Sequence, residues 1–231
     1  MSITENVAAI RKLMENAAIA AGRNPQDIKL CAATKMNDAE AVRQAIAAGV
    51  DCCGENRVQE LKQKLSENAY EGKPVHFIGH LQTNKVKQVV GKVDLIHSVD
   101  SLHLLEAIHT EASRQGIRQD ILLEINIAGE DSKSGFDPSE LSSVLEKCGE
   151  FHSIFVRGLM AIPPICQNKT ENHKFFQKMY NLWVDITGKK YDNVSVDILS
   201  MGMSGDFEDD IACGSTMIRL GTAIFGPRNY Q

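Results

Sequence analysis

Short apolar runs and longer amphipathic stretches alternate along most of the chain. Val7, Ile10 and Met14 follow the spacing of one helical face, and we expect this first helix, within residues 1–22, to end near Gly22. Eight aliphatic-rich runs follow, which we interpret as β-strands, and each but the last precedes a helical pattern. The strands are predicted to begin at Ile28, Val50, Val75, Leu95, Asp120, Phe155, Val194 and Met217. This rhythm predicts an α/β protein with a parallel sheet.

Two architectures fit this rhythm, a doubly wound open sheet and a closed barrel. The repeat is roughly 25 residues long, and eight units is the number that closes a barrel. In the fifth strand Ile121 and Leu123 share one parity, and Glu124 and Asn126 share the other. Such alternation is typical of a barrel whose aliphatic side faces outer helices and whose polar side faces the axis.

The last strand and the first turn also favour the barrel. In residues 217–226, Ile218 and Leu220 lie on one side and Arg219 on the other, and the first strand lacks a Gly-x-Gly-x-x-Gly turn. We therefore predict a single-domain (β/α)8 TIM barrel over residues 28–226, within one domain formed by residues 1–231.

Composition narrows the classes of function. The 231 residues are 43% hydrophobic and carry 25 Lys+Arg against 30 Asp+Glu, a net charge of −5. This balance excludes a disordered chain and argues against nucleic-acid and membrane partners, which select basic patches. The six cysteines form no Cys-x-x-Cys pair, and the N-terminus does not read as a signal peptide. We expect a cytoplasmic monomer with reduced, buried thiols that works on small molecules.

Lys35 is the first candidate for chemistry. It shares the parity of Cys31 and Ala33, so its stem should rise from the inner face at the C-terminal mouth of the first strand. Partial burial of an amine favours its neutral form, which is a nucleophile toward aldehydes. The simpler alternative is a strand-end lysine that extends to solvent. The evidence from this residue alone favours that alternative.

A second candidate follows the seventh strand, where residues 199–206 read Leu-Ser-Met-Gly-Met-Ser-Gly-Asp. The loops after strands seven and eight of barrel enzymes frequently bind phosphate. We expect Ser204 to cap a helix that runs through Ile211 and to present free N–H groups to an anion. A Ser/Gly loop alone is more often only a turn, and its place after strand seven is what favours the phosphate site.

Closure of the barrel would bring strand eight, and this loop, next to Lys35. An aldehyde-reactive lysine beside a phosphate cradle describes a site for pyridoxal 5′-phosphate (PLP). Arg219 would add a permanent cation that disfavours protonation of the pyridine nitrogen. A structural ion pair of Arg219 with Asp197 or Glu124 fits the spacing equally well.

Seven motifs, in order through the whole chain, resemble those of the pyridoxal phosphate homeostasis proteins. They are Ala-Ala-Thr-Lys (32–35), Gly-Glu-Asn-Arg-Val-Gln-Glu (54–60), His-Phe-Ile-Gly-His-Leu-Gln-Thr-Asn-Lys (76–85), Ser-Lys-Ser-Gly-Phe (132–136), Gly-Leu-Met-Ala-Ile (158–162), Leu-Ser-Met-Gly-Met-Ser-Gly-Asp (199–206) and Arg-Leu-Gly-Thr-Ala-Ile-Phe-Gly (219–226). That family is similar to the barrel domain of alanine racemase. The resemblance therefore implies an alanine racemase N-terminal-domain-like fold and PLP as the cofactor.

The resemblance also implies roles for eight residues. Lys35 would hold PLP as a Schiff base and Arg219 would face the pyridine nitrogen. The remaining residues divide between phosphate and ring: Ser200, Ser204, Gly221 and Thr222 would bind the phosphate, and Asn56 and Met201 would border the ring. One departure is Met-Asn-Asp after Lys35, where relatives commonly carry a proline-containing loop.

Two other patterns favour structural roles. His76 and His80 share a strand face, but no third ligand has a supporting motif, so we predict no metal site. The acids of Phe-Glu-Asp-Asp (207–210) suit the first turn of a helix.

Three functions compete. The first, implied by the resemblance, is a carrier that serves PLP homeostasis and delivers PLP to apo-enzymes without robust catalysis. The second is a slow PLP-dependent amino-acid racemase or transaminase. A two-base racemase needs a base opposite the lysine. The tyrosines fall instead in predicted loops or helices or at the end of the chain: Tyr70, Tyr180, Tyr191 and Tyr230. The third is a barrel for another phosphorylated metabolite, which would be colourless.

Overall fold

Eight parallel strands close into a barrel in sequence order in the computed structural model, with the first strand paired to the last. The structure describes residues 1–130, 133–164 and 169–227, with the backbone alone at 169–171. The strands are β1 (Lys29–Ala33), β2 (Cys52–Glu55), β3 (Val75–Phe77), β4 (Leu95–Val99), β5 (Gln119–Glu124), β6 (Ile154–Met160), β7 (Val194–Ser200) and β8 (Met217–Leu220). The predicted TIM barrel is confirmed, and each strand begins within two residues of its predicted start.

Helices cover the outside of the barrel. The α-helices are α1 (Ile3–Ala20), α2 (Ala39–Ala47), α3 (Val58–Ser66), α4 (Leu102–Gln115), α5 (Leu141–Cys148), α6 (Lys169–Thr187), α7 (Phe207–Ala212) and α8 (Thr222–Phe225). Two connections differ from the sequence prediction. After β3, where a helix was predicted, the chain forms a 3-10 helix, Thr83–Gln88. After β8, where no helix was predicted, it forms the short α8.

The first helix lies over the junction of β1 and β8. Ser2 and Glu5 form a capping box at its start, which satisfies free backbone N–H groups of the first turn. Its buried face, which includes Val7 and Ile10, shares an apolar cluster with Ile218 of β8. Gly22 follows the helix with a φ of +67°, a left-handed conformation that suits glycine, so the predicted end near Gly22 is confirmed.

Alternation of side chains sorts each strand into an inner and an outer face. Leu30 and Ala32 pack outward in the cluster that contains α1, whereas Cys31 and Ala33 belong to a separate inner cluster. Outward packing also holds for Ile121 and Leu123 of β5, and Ile218 and Leu220 of β8, as the parity predicted. The inner face of β8 consequently carries Arg219 into the barrel.

The five cysteines within the described ranges are all buried and free. Cys166, Ser132 and Tyr230, which the sequence analysis considered, lie outside those ranges. Among the helices that the structure describes, none combines the length and apolar character needed to cross a membrane.

Candidate functional site

Lys35 lies at the C-terminal mouth of the barrel, two residues beyond the end of β1. It is partly buried and lines a cavity of about 220 Å³ together with Gly221 and Thr222. Gly221 directly follows β8, and a side-chain carbon at this position would lie 3.5 Å from the carbonyl oxygen of Ala33. The predicted approach of Lys35 to the residues after β8 is therefore present in the structure.

The turn that carries Lys35 is held from the side of α3. Met36 adopts a left-handed φ of +61°, which is uncommon for a residue with a side chain. Its backbone N–H donates to Glu60 Oε2 at 2.6 Å. This bond fixes the Met-Asn-Asp turn immediately after Lys35.

A buried network fixes the residue before Lys35. The Thr34 hydroxyl donates to Glu55 Oε1, and Lys64 Nζ donates both to Glu55 Oε1 and to the Thr34 carbonyl oxygen, each at 2.7 Å. Tyr70 also donates to Glu55 Oε1, at 3.2 Å. Glu55 and Lys64 are almost fully buried, with side-chain exposures of 0% and 4%. The backbone on both sides of Lys35 is thus anchored to β2 and α3.

The residues predicted to bind phosphate occupy two places. Thr222 and Ser204 meet at the rim, where the Thr222 hydroxyl donates to Ser204 Oγ at 3.3 Å. Ser200 lies inside the barrel instead, fully buried. Its hydroxyl oxygen accepts from Arg219 Nη1 at 2.6 Å. Phosphate binding by the Ser200 side chain stays a prediction.

The expectation that Ser204 caps a helix is wrong. The helix in question, α7, begins at Phe207, and Asp206 occupies its N-cap position. The Asp206 carboxylate accepts from the backbone N–H of Met203 at 2.8 Å, which closes the loop before the helix. Because the helix begins two residues later than predicted, the Ser204 hydroxyl bonds to Thr222 rather than to helix N–H groups.

Arg219 is buried inside the barrel, with a residue exposure of 6%. Besides its bond to Ser200, its Nη2 donates to the Ala161 carbonyl oxygen at 3.0 Å. Within the described residues these bonds use two of the five guanidinium donors. Asp197, one of the two predicted ion-pair partners, pairs instead with Arg157. Glu124, the other, acts on Arg219 through its charge.

A chain of polar contacts continues from Arg219 across the barrel. Beyond Ser200, His97 Nδ1 lies 3.1 Å from the serine hydroxyl, and His97 Nε2 lies 2.9 Å from His76 Nδ1. Burial lowers the pKa of His76 to about 4 and, together with the charges of His76 and Arg219, lowers the pKa of His97 well below its usual value. Both imidazoles are consequently neutral at neutral pH. Arg219 carries the positive charge of this series of polar contacts.

The two residues predicted beside the cofactor ring differ in their surroundings. Asn56 directly follows β2, and its Oδ1 is buried with no hydrogen-bond partner within the described residues. A buried acceptor without a partner costs free energy, so it suits a site that a ligand completes. Met201 is fully buried in the same apolar cluster as Leu199 and Cys213. Contact of either residue with a ring stays a prediction.

Asp210 is the one acid of residues 207–210 that does not fit a simple first-turn role. It is fully buried, and neither carboxylate oxygen has a hydrogen-bond partner in the part of the chain that is described. Burial, reinforced by the charge of Asp206, raises its pKa to about 9. Gly202, with a φ of +102°, packs so closely that a side-chain carbon there would lie 2.9 Å from Asp210 Oδ2. At neutral pH the Asp210 side chain is therefore protonated and packs against Gly202 of the 199–206 loop.

The buried carboxyl of Glu124 should make the free energy of unfolding depend on pH. Burial, together with the charge of Asp100, raises its pKa to about 7 even though Arg219 opposes the shift. A carboxyl whose pKa is raised on folding stabilises the protein below its unfolded pKa of about 4.5 and loses that contribution as the pH rises through about 7. Relative to Glu124→Gln, we expect wild-type unfolding free energy to fall by on the order of 2 kcal/mol between pH 4.5 and pH 8. Urea denaturation at pH steps measures it, and parallel curves for the two proteins would contradict the assignment.

Sequence reasoning did not single out Glu55, Glu60 or Lys64 as site residues. The signal was local and weak: Glu60 and Lys64 are four residues apart, a common surface pair on a helix. Their contacts with Thr34 and Met36 join segments that are more than twenty residues apart in the chain. Only the pairing of β1 with β2 makes these residues neighbours.

Comparison with known proteins adds to this geometry. The family model for the alanine racemase N-terminal domain matches residues 3–229. A pyridoxal phosphate homeostasis protein from Aquifex aeolicus is 39% identical over 230 residues, which cover all of both chains. PipY of Synechococcus elongatus, solved with PLP bound, has a TM-score of 0.83 and 32% identity over 97% of this chain and 100% of its own.

More distant structures share the fold alone. Alanine racemase from Clostridium difficile is 16% identical with a TM-score of 0.71 over 98% of this chain and 57% of the racemase. The family match spans nearly the whole chain, and the relatives above 30% identity cover it from end to end. The chain therefore belongs to the alanine racemase N-terminal-domain family and, within it, to the pyridoxal phosphate homeostasis proteins.

Proposed function

We propose that this chain binds PLP at the C-terminal mouth of its barrel and holds it as a Schiff base on Lys35. The cavity shared by Lys35, Gly221 and Thr222 carries this proposal, because it places an amine beside a small-residue, hydroxyl-bearing rim. Support comes from the relatives, one of which was solved with PLP bound. When bound, PLP supplies an aldehyde that amines capture reversibly.

Each site residue has a distinct proposed task. The Ser204 and Thr222 hydroxyls and the backbone at Gly221 bind the phosphate. Lys35 provides the amine, and Arg219 faces the pyridine nitrogen with donors that its bonds to Ser200 and Ala161 leave unused. Because a guanidinium stays protonated, Arg219 donates a hydrogen bond without delivering a proton.

The other predicted residues support this arrangement. We propose that Ser200 both orients Arg219 and binds the phosphate, because accepting from the guanidinium does not use its O–H donor. Asn56 offers its unpartnered amide oxygen to the ligand, and Met201 borders the ring. We propose that residues 1–231 act as one PLP-binding domain.

We further propose that the chain serves PLP homeostasis and delivery to apo-enzymes rather than robust catalysis. A racemase needs a second base at the face of the ligand opposite Lys35. Among the described tyrosines, Tyr70 is buried and bonded to Glu55 behind the Lys35 turn, Tyr180 lies on α6, and Tyr191 lies between α6 and β7. We propose that the protein works in the cytoplasm, because its described thiols are free and buried, as a reducing compartment permits. We also propose that it works as a monomer.

The test of this function begins with the wild-type protein and PLP. We expect a yellow Schiff-base absorbance, and borohydride reduction followed by peptide mapping should place the label on Lys35. Alanine in deuterated water should then exchange its α-proton no faster than with free PLP, and added apo-enzyme should recover activity. Rapid exchange would favour the amino-acid racemase, and a colourless protein would favour a barrel for another phosphorylated metabolite.

Thr222→Val tests the phosphate rim. The substitution keeps the shape of the side chain and removes the hydroxyl that bonds to Ser204. A hydrogen bond to a charged group is worth about 1.5–3 kcal/mol, so we expect PLP affinity to fall roughly 10- to 100-fold with the Schiff-base absorbance retained at saturation. Equilibrium titration measures it. Thr216→Val, at the opposite end of β8, is the control, and equal losses in both variants would count against the rim.

A further inference from the structure

Three side chains from neighbouring strands meet inside the barrel, away from the Lys35 mouth. Cys31 of β1, Cys52 of β2 and His76 of β3 place their ligand atoms within 4.8 Å of one another. Cys52 Sγ lies 3.6 Å from His76 Nδ1. Cys31 and Cys52 occupy paired positions of the β1–β2 ladder, and both side chains point to the axis. We refer to these three residues as the Cys-Cys-His cluster.

The cluster has its own path to solvent. Its members are 0%, 3% and 7% exposed, in chain order, so their ligand atoms are shielded from bulk water. Cys52 and His76 nevertheless form part of the wall of a cavity of about 360 Å³. The same cavity is lined by Lys29 and Met217, which begin β1 and β8, so it opens at the N-terminal end of the barrel. This mouth is opposite to the one that carries Lys35.

The charges around this opening suit the entry of a cation. Asp51, Asp94 and Asp120 line the cavity, against Lys29 and Arg157. Asp94 and Asp51 each accept a backbone N–H, from Val75 and Leu30, which fixes their carboxylates at the rim. Asp51 also pairs with Arg11, and Arg157 also pairs with Asp197. With these partners counted, the acids still exceed the cations by one negative charge, so the entrance attracts positive ions weakly.

We propose that the Cys-Cys-His cluster binds a thiophilic d10 cation, with Zn²⁺ as the expected ion. Two thiolates and one imidazole are soft and borderline ligands, the set that selects Zn²⁺ over Mg²⁺ or Ca²⁺. Zinc bonds of about 2.3 Å to sulfur and about 2.1 Å to nitrogen at a tetrahedral angle separate the two ligand atoms by about 3.6 Å. That is the separation of Cys52 Sγ and His76 Nδ1.

Binding of Zn²⁺ by the cluster exchanges the protons of the two thiols for the metal ion. The form of histidine that binds a metal is the neutral imidazole, with the lone pair of the ligating nitrogen unprotonated. The two thiols give up their protons to solvent as Zn²⁺ forms two Zn–S bonds, so the buried charge changes from neutral to neutral. A thiolate pair without the cation would be strongly unfavourable in this interior, and the cation removes that cost.

His97 lies beside the cluster but outside the set of three mutually close ligand atoms. Its Nε2 lies 2.9 Å from His76 Nδ1, the nitrogen that faces Cys52. Zinc binding through His76 Nδ1 requires the proton of this imidazole to lie on Nε2, so the His76–His97 contact of the metal-free protein gives way to the Zn–N bond. On the far side of His97, Ser200 Oγ accepts from Arg219. The proposal itself does not depend on PLP binding.

Reduced, chelator-treated full-length protein titrated with Co²⁺ and then Zn²⁺ tests the proposal. We expect one equivalent to bind, with a sulfur-to-cobalt charge-transfer band that Zn²⁺ abolishes. Cys31→Ala and Cys52→Ala should each weaken Zn²⁺ binding by more than about 100-fold, since even outer-shell changes cost about 10- to 100-fold. Cys148→Ala is the matched control, because Cys148 is also fully buried and lies in a different apolar cluster. It should bind like wild type.

Two further measurements separate the outcomes. X-ray absorption of the wild-type zinc complex should count two sulfur ligands and needs no variant to fold. Lys35→Ala should retain the zinc site, so failure of PLP binding leaves this test intact. No charge-transfer band, nitrogen and oxygen ligands alone, or equal binding by Cys52→Ala and Cys148→Ala would overturn the proposal.

Discussion

Lys35→Ala is expected to abolish the Schiff-base absorbance of the protein with PLP and to leave no label for borohydride to fix. The substitution removes the amine proposed to form the covalent bond and leaves the rim at Gly221 and Thr222 unchanged. Non-covalent affinity should persist, because charge-assisted hydrogen bonds to the phosphate do not require the lysine. Absorbance titration and reduced-peptide mapping measure both effects.

Lys29→Ala is the matched control for this loss. Lys29 lies on the same strand, at the opposite mouth of the barrel, so it tests whether an exposed β1 lysine is labelled without a built site. Its variant should keep the full absorbance of the wild type. An unchanged spectrum in Lys35→Ala, or label spread evenly over other lysines, would contradict the assignment of Lys35.

Much of the barrel could be predicted because its signals are local. Strand starts follow from the length of the apolar runs, and period-two alternation places Arg219 inside and Ile218 outside in both prediction and structure. Closure of eight units then makes β1 and β8 neighbours. This step brings Lys35 and Thr222 to one cavity although they are almost the whole barrel apart in the chain.

Other features depend on contacts that no spacing encodes. Ser204 has the residue type of a helix cap, but Asp206 occupies the N-cap position, and its carboxylate accepts from Met203 in the preceding loop rather than from the helix. Cys31, Cys52 and His76 match no metal-binding spacing, because three different strands carry them. Side-chain competition and strand register decide such cases, and both exist only in the folded barrel.

Lys64→Met is expected to destabilise the fold by about 3–5 kcal/mol, because it leaves the buried Glu55 carboxyl without its cation. The same change removes the donor to the Thr34 carbonyl oxygen, so we also expect the Schiff base on Lys35 to form more slowly. Urea denaturation and stopped-flow absorbance with PLP measure the two effects. Lys147→Met, which breaks an exposed pair with Glu150, should cost less than about 1 kcal/mol.

The double variant Glu55→Gln/Lys64→Met separates the buried charge from the positioning of Lys35. It removes both charges and should recover part of the stability, since the loss in Lys64→Met comes largely from the unpaired carboxylate. It does not restore the donor to the Thr34 carbonyl oxygen, so slow Schiff-base formation should persist. Recovery of stability and rate together would mean that the network stabilises the barrel without positioning Lys35. A double variant no more stable than Lys64→Met would mean that the hydrogen bonds, and not the charge pair, hold this region.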